Sequence, residues 1–241
     1  MKRQISTPRF YQKGFTLAES VIALGILVVL ITGFMAVFGP AAQTIRRTLS
    51  IDEASRLEAS LLWELSNVRA GREASTYEGD SFRKAFDWIA NSEEQGQTVL
   101  VYKYRALEGE IRTDGTLEPA PRELGIAGTD FVVRPMVRRL SDPFIEDDLN
   151  AVDGRVFFVR LTQLIYEGEG LRVSEEVGQI VDPNNPSNDF SQTSESYPEA
   201  VLAFEAEYYN LPSTSINFLQ QAFDPADFTR PVFARNLAIR R

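Results

Sequence analysis

A single carboxylate, Glu19, stands at the start of the longest apolar stretch of this 241-residue chain, and no charged residue follows it from Ser20 to Phe38. A carboxylate that enters the interior of a membrane costs about 2–3 kcal/mol, so an acid at such a position predicts a function. The positive end of the helix dipole lowers that cost when the acid lies in the first turn. The chemistry that Glu19 offers is pairing with a positive charge, because two opposite charges are tolerable together in an apolar medium and costly apart.

The other residue types exclude several kinds of chemistry. The chain has no histidine and no cysteine, which excludes Ser-His-Asp and Cys-His catalysis, metal sites built from those ligands, and disulfides. It also lacks a P-loop and a G-x-S-x-G motif. The net charge of −9 argues against nucleic acid as a partner. We therefore predict no enzyme and no cofactor, since a carboxylate-based hydrolase has no supporting residue spacing.

Two acidic loops offer the oxygen ligands that calcium prefers. The first has Asp142, Glu146, Asp147, Asp148 and Asp153, and the second has Asp182, Asn184, Asn185, Asn188 and Asp189. Neither follows the spacing of an EF-hand. We therefore interpret both as solvated surface loops and predict no metal site.

Glu19 is positioned by the stretch Gly14–Phe38. As a helix, its apolar run is about 28 Å long at ~1.5 Å per residue, which is enough to cross a bilayer core of about 30 Å. The preceding residues include four basic side chains and no acid, so this end of the chain should stay in the cytoplasm while the acidic remainder crosses. These basic residues are Lys2, Arg3, Arg9 and Lys13.

An ordinary secretory signal fits this stretch poorly. The apolar core of such a signal is about 7–15 residues long, and this one is longer. Gly39-Pro40-Ala41 is a poor cleavage site because the proline lies inside it. A plain membrane anchor fits the length and the flanking charges, but it does not explain Glu19.

The string Gly14-Phe15-Thr16-Leu17-Ala18-Glu19 resembles the processing motif of type IV prepilins and type II secretion pseudopilins, in which a basic leader and a glycine precede Phe-Thr-Leu-x-Glu and an apolar helix. The resemblance implies that a prepilin peptidase cuts between Gly14 and Phe15 and that the new amino terminus of Phe15 is methylated. It also implies that Glu19 faces the N-terminal amine of a neighbouring subunit in a filament. The chain resembles, more loosely, the pilin-like proteins of the Verru_Chthon cassette, through its ALGI core, its FGPAAQ exit and Arg235-Asn236.

A helical pattern resumes from Ala41 to about Arg69, after a bend expected at Gly39-Pro40. One face of this helix is apolar and should pack on a sheet; its residues are Ala54, Leu57, Leu61, Leu65 and Val68. Ile45, Leu49 and Trp63 fall on roughly the opposite face. A loop of the same domain could cover Trp63, or this stripe could contact the helix of a neighbouring subunit.

The rest of the chain reads mostly as strands. A short amphipathic helix, with Phe82, Ala85, Phe86 and Ile89 on its apolar face, precedes them. Strands are predicted at Thr98–Leu107, Asp130–Leu140, Arg155–Glu167, Leu171–Val181, Ala200–Tyr209 and Pro231–Ile239. Asp114-Gly115 favours a type I′ hairpin, Pro135 either interrupts its strand or places that strand at an edge, and Gly168-Glu169-Gly170 should join a second hairpin. Asp182–Pro198 is predicted to be a polar surface loop.

This order predicts an α+β fold in which a long N-terminal helix packs against an antiparallel sheet, and the resemblance implies the pilin-like version of it. We expect residues 1–14 to be the leader, 15–40 the transmembrane half of the helix, and 41–241 the exported domain. In that domain 41–70 should be helical and 71–241 mostly strands and loops.

The leading hypothesis is a pilin-like or pseudopilin subunit, and we expect a minor one, of a type II secretion or type IV pilus-like filament. Its expected partners are a prepilin peptidase, other pilin-like subunits and the bacterial inner membrane, crossed once, with the C-terminal domain periplasmic or extracellular. The alternative is a membrane-anchored extracytoplasmic binding protein that forms no filament. An exposed apolar patch on the isolated domain would support that alternative.

Overall fold

The computed structural model describes residues 16–121, 125–168, 170–175, 178–184 and 193–241. The chain divides into two compact units, Met1–Arg47 and Thr48–Arg241. The helix α1 (Leu17–Leu65) contributes residues to both units.

In the first unit, α1 exposes its side chains all round. It is long and apolar enough to cross a membrane, by length and composition. Pro40 lies inside the helix without ending it, and the Thr44 hydroxyl donates a hydrogen bond to the Pro40 carbonyl at 3.0 Å. The bend at this point stays a prediction.

In the second unit, α1 ends at Leu65 and not near Arg69 as the pattern suggested. Two side chains explain the difference. Asn67 Nδ2 donates to the Trp63 carbonyl at 2.7 Å, which satisfies one of the free carbonyls at the helix end. Arg69 folds back onto Glu64, with Nη2 at 2.5 Å from Oε2.

The second unit is built on an antiparallel sheet, which confirms the predicted α+β architecture. Its strands are β1 (Val99–Ile111), β2 (Leu117–Pro119), β3 (Val132–Arg139), β4 (Val152–Glu167), β5 (Gly170–Val173), β6 (Val201–Asn210) and β7 (Phe233–Arg240). The main order is β2-β1-β4-β6-β7, while β3 pairs with β1 and β5 pairs with β4. Two short helices, α2 (Arg72–Tyr77) and α3 (Ser81–Ala90), lie between α1 and β1, while α4 (Ile145–Asn150) joins β3 to β4 and α5 (Ile216–Gln221) lies between β6 and β7.

Both predicted hairpins are present, but the turn type predicted for the first of them is wrong. β1 and β2 form a hairpin around Asp114-Gly115, but Gly115 alone has a positive φ there, +83°. The Gly115 N–H bonds to the Arg112 carbonyl, and the Arg112 N–H bonds to the Thr116 carbonyl. This is a type I turn followed by a bulge and not the predicted type I′ turn, because a longer loop carries the chain between the strands. Pro135 lies opposite Lys103 in β3, which pairs with β1 alone among the described strands, so the predicted edge position is confirmed.

The sheet buries both of its faces. On one face, the predicted apolar side of α1 and the apolar side of α3 pack together against Val99, Val101 and Phe157. On the other face, α4 and α5 cover Leu100, Tyr102, Tyr104, Phe158 and Tyr209. Four aromatic rings of this second core lie 5.4–6.0 Å apart; they are Phe158, Tyr209, Phe223 and Phe228.

The first acidic loop differs from its interpretation as a solvated segment. It contains α4, and Asp148 on that helix is completely buried. The physical reason is that two arginines on other elements, Arg112 and Arg138, reach its carboxylate. In the second loop, Asn185, Asn188 and Asp189 lie outside the described residues.

Candidate functional site

The start of α1 carries a reciprocal pair of hydrogen bonds between Thr16 and Glu19. The Thr16 backbone N–H and the Thr16 hydroxyl each donate to Glu19 Oε2 at 2.8 Å. The Glu19 backbone N–H donates to the Thr16 hydroxyl oxygen at 3.2 Å. This arrangement is a capping box, which satisfies N–H groups that the first turn of a helix otherwise leaves without acceptors. It fixes the Glu19 carboxylate at the amino-terminal end of α1.

The capping box leaves half of the carboxylate available. All the hydrogen bonds that Glu19 accepts within the described residues go to Oε2, so Oε1 has no protein donor among them. An ionised carboxylate accepts at about four positions. Glu19 can therefore keep its bonds to Thr16 while it accepts from an amine that comes from elsewhere.

The sequence also contains the signal for this cap, which we did not predict. A threonine followed three residues later by a glutamate, just before an apolar run, is the signature of a capping box. Gly14 and Phe15, where cleavage and methylation are predicted, lie outside the described residues. Both roles therefore stay predictions.

The stripe assigned to subunit contact is exposed. The exposed fractions are 61% for Ile45, 54% for Leu49 and 62% for Trp63. Within the part of the chain that the structure describes, no loop covers Trp63, so the first of its two interpretations has no support there. Its contact with a neighbouring subunit stays a proposal.

A cluster of buried charges, which the sequence analysis did not predict, holds the end of α1. Lys84 is fully buried and donates to Glu64, to the Asn67 carbonyl at 2.9 Å and to Glu73 Oε2 at 2.7 Å. Arg69 donates to Glu64 and to the Val137 carbonyl, the latter at 2.6 Å. These bonds tie α1, the loop after it, α3 and β3 to one another.

A second buried cluster is centred on Asp148. Its carboxylate accepts from Tyr102 Oη at 2.8 Å, from Arg112 Nη1 at 2.7 Å and from Arg138 Nε at 2.6 Å. Arg138 also donates to Asp114 and Asp142, both at 2.8 Å. Every acid of this cluster has a basic or hydroxyl donor, and no group of three or more acids among the described residues is placed to hold a metal ion.

The clusters shift the pKa of their members. Burial would raise the pKa of Asp114, but hydrogen bonds from the Thr116 side chain and backbone and from Arg138 outweigh it and lower that pKa. Burial raises the pKa of Tyr102 well above its ordinary value, and the neighbouring Asp148 carboxylate adds to that rise. These shifts belong to groups that hold the fold together, and no described residue beside them has the arrangement of a nucleophile and its base.

Comparison with known proteins adds one match. Residues 9–35 match the family model described as the prokaryotic N-terminal methylation motif. Among curated proteins none matches the chain significantly, and the same holds for solved structures. The match includes Thr16 and Glu19, the two residues of the capping box.

The methylation motif thus stands at the start of an apolar helix long enough to span a membrane, and with the antiparallel sheet this gives the chain an α+β, pilin-like architecture. The chain carries a prepilin-type N-terminal methylation motif. The looser resemblance to the Verru_Chthon cassette is not confirmed by these comparisons.

Proposed function

We propose that this protein is a pilin-like or pseudopilin subunit of a filament based in the bacterial inner membrane. The observation that carries the proposal is Glu19, held by a capping box at the start of an apolar helix inside a matched methylation motif. A prepilin peptidase cuts between Gly14 and Phe15, and the new amino terminus of Phe15 is methylated. The product is a subunit that begins with a positive charge four residues before a negative one.

Charge pairing then drives assembly. Before assembly, the carboxylate of Glu19 lies at the amino-terminal end of a membrane-spanning helix, where Thr16 satisfies Oε2. On assembly, the amine of a neighbouring subunit reaches the same carboxylate. Two opposite charges taken into an apolar environment together cost much less than either alone. If a subunit lacks the acid, the amine of its neighbour is buried without a partner, and assembly is unfavourable.

The anchor crosses the inner membrane once, and the domain that follows lies outside the cytoplasm. The basic leader supports this orientation, since four positive charges precede the apolar run and no acid accompanies them. We further propose a minor subunit of a type II secretion or type IV pilus-like system. The large strand-rich domain and the absence of cysteine, and therefore of a disulfide, support this role.

Processing is tested by expressing the chain beside a prepilin peptidase and measuring its intact mass and N-terminal sequence. The expected product begins at N-methylated Phe15. A product that begins at Met1 points to a plain anchor, and one that begins at Ala42 points to an ordinary secreted protein. Either result overturns the proposal.

The role of Glu19 is tested with two variants. Glu19→Gln keeps the side-chain length and an acceptor for Thr16 but loses the charge. Glu19→Leu loses both the acceptor and the charge. If charge pairing drives assembly, both variants are processed at Phe15 and both fail to enter filaments. If Glu19→Gln assembles like the unchanged chain, Glu19 acts only as a helix cap and the assembly mechanism is wrong.

A membrane-anchored binding protein that forms no filament is the second candidate. The exposed Trp63 favours it, because an exposed tryptophan beside a cavity is a common feature of recognition sites. The same two Glu19 variants separate the candidates. A binding protein would keep its ligand and its membrane location in both, whereas a filament subunit would lose its place in the filament.

A further inference from the structure

A cavity of about 480 Å³ lies in the second unit, between α2, α3 and the loops that follow β1 and β3. Its volume is within the range of about 300–1,000 Å³ that is usual for small-ligand sites. Aromatic side chains form part of its wall, and two of them, Tyr77 and Trp88, are buried. Two arginines, Arg69 and Arg139, also line it. We call it the α2–α3 cavity.

Arg139 uses only one side of its guanidinium group for hydrogen bonds. Its Nη1 donates to Asp87 Oδ2 at 2.7 Å and to the Tyr77 hydroxyl oxygen at 3.4 Å. The group lies over Trp88, with Cζ 5.0 Å from the ring centroid. Its Nε and Nη2 are buried and have no hydrogen-bond partner within the part of the chain that the structure describes. These two nitrogens form one edge of the planar group, and such an edge matches the two oxygens of a carboxylate.

Arg69 adds a third buried donor that lacks an acceptor. Its Nε and Nη2 donate to Glu64, and Nη2 also donates to the Val137 carbonyl. Its Nη1 lies 3.7 Å from Asp114 Oδ2, which is too far for a hydrogen bond. Among the described residues, seven side-chain nitrogen or oxygen atoms are buried without a hydrogen-bond partner, and three of them belong to Arg69 and Arg139. Because a buried donor without an acceptor is costly, an acceptor that enters this cavity is bound favourably.

The acids of the cavity wall do not satisfy these donors, because most of them already accept from other groups. Four acids of the wall have a cationic partner at 2.7–2.8 Å; they are Glu73 with Lys84, Asp87 with Arg139 Nη1, and Asp114 and Asp142 with Arg138. The fifth acid of the wall, Glu94, is exposed. This number of carboxylates repels a doubly charged anion more than a singly charged one. The wall therefore favours a ligand group that accepts two hydrogen bonds and carries one negative charge.

We propose that the α2–α3 cavity binds a ligand that presents one carboxylate beside an apolar group. The carboxylate accepts from Nε and Nη2 of Arg139, after a small turn of the guanidinium group over the Trp88 ring brings this edge to the cavity. The apolar group packs against Phe144, which is half-buried in the same wall. A free carboxylic acid and the carboxyl end of a polypeptide both offer this chemistry. The proposal goes beyond filament assembly and does not depend on it.

The fluorescence of Trp88 reports binding, because this residue lines the cavity. The full chain is purified in detergent micelles with Trp63→Phe, which removes the only other tryptophan. It is titrated at constant ionic strength with benzoate, with N-acetylphenylalanine as a mimic of a chain end, and with benzamide, which has the shape of benzoate but no charge. We expect a saturable change with at least one carboxylate, and an affinity for benzamide that is weaker than for benzoate by about tenfold or more. Tighter binding of benzoate indicates a free acid as the ligand, and tighter binding of N-acetylphenylalanine indicates a chain end.

Two matched variants test whether the free edge of Arg139 binds the carboxylate. Arg139→Lys keeps a positive charge for Asp87 but loses the planar edge, so the affinity for the carboxylate should fall by about tenfold or more. Arg134→Lys makes the same replacement at an exposed arginine of β3 that does not line the cavity, and it should leave the affinity unchanged. If Arg139→Lys does not fold, the comparison of benzoate with benzamide in the chain that retains Arg139 still decides the question.

Three results would overturn the proposal. They are no saturable change with either carboxylate, equal affinities for benzoate and benzamide, and equal affinities of Arg139→Lys and Arg134→Lys for the carboxylate. Inorganic phosphate that binds more tightly than the carboxylates would also overturn the assignment of a singly charged ligand. None of these results affects the proposed function, which is decided by cleavage before Phe15 and by the Glu19 variants. A chain that is not processed likewise leaves the cavity proposal standing.

Discussion

The substitution Asp148→Ala should destabilise the exported domain strongly. Asp148 is completely buried and accepts from Tyr102, Arg112 and Arg138 at 2.6–2.8 Å. Removing one partner of a buried ion pair typically costs about 3–5 kcal/mol. Each arginine keeps another acid, since Arg138 still contacts Asp114 and Arg112 still contacts Glu118. We therefore expect a loss at the lower end, about 3 kcal/mol in the free energy of unfolding.

The measurement is urea unfolding of the full chain in detergent micelles, followed by the fluorescence of Trp88. Trp88 is buried, and Trp63→Phe removes the only other tryptophan signal. The matched control is Asp147→Ala on the same helix. The Asp147 side chain is 61% exposed, and its ion pair with Arg112 is long, at 3.7 Å. This variant should change the stability by less than about 0.5 kcal/mol. Equal effects of the two variants, or a loss below about 1 kcal/mol for Asp148→Ala, would refute the view that the buried ion pairs hold this fold together.

Three further predictions concern hydrogen bonds and pH. The pKa of Asp114 is lowered in the folded state, so its contribution to stability is complete above the ordinary carboxyl pKa of about 4 and is lost as the pH falls below it. The stability of Asp114→Asn should therefore depend less steeply on pH in that range. Acid unfolding followed by circular dichroism measures this dependence. Burial raises the pKa of Tyr104 to about 12. Stability should therefore fall as the pH rises from about 10, where the unfolded chain releases this proton first. In Tyr104→Phe, stability measured by circular dichroism should fall less steeply over the same alkaline range. Thr16→Val removes the hydroxyl that accepts from the Glu19 backbone N–H and donates to its carboxylate, and should destabilise the first turn of α1 by about 1 kcal/mol. Amide hydrogen exchange in that turn should be faster than in Thr16→Ser. Equal exchange rates would contradict the capping role.

Much of the fold could be predicted because it depends on local patterns. The spacing of Ala54, Leu57, Leu61 and Leu65 places them on one face of a helix, and all four are buried. Asp-Gly and Gly-x-Gly sequences marked the two hairpins correctly. The turn type at Asp114-Gly115 was wrong because the dipeptide does not reveal how many residues the loop contains.

The buried charges could not be predicted because their partners are distant in the sequence. Glu64 and Lys84 are 20 residues apart, and Arg112 and Asp148 are 36 apart. A charged residue usually indicates a solvent-exposed position, and only the folded structure shows which charged side chains meet in the interior. The acidic loop was misread for this reason, since Asp147 is exposed and its neighbour Asp148 is not.

The candidate site was predicted from residue types and spacing, and the structure adds how it is held. The sequence identified Glu19 as the unusual residue. Thr16 belongs to the same motif, but the cost of burying a carboxylate does not depend on which residue precedes it, so this cost alone could not reveal the contribution of Thr16. A charge in an apolar run also has local hydrogen-bond partners, and these determine where it points.

A sheet that is covered on both faces has a consequence for strand register. In β1, four consecutive residues from Val99 to Tyr102 are completely buried, alternately in the two cores. A shift of β1 by one residue would move apolar side chains from one core into the other, and none of them would reach water. The apolar pattern therefore discriminates weakly against the shifted pairing. The hydrogen bond from Tyr102 to Asp148 discriminates more strongly, because the shift would turn the Tyr102 hydroxyl into the other core, away from this acceptor. The buried polar contact thus specifies which face of β1 meets which core.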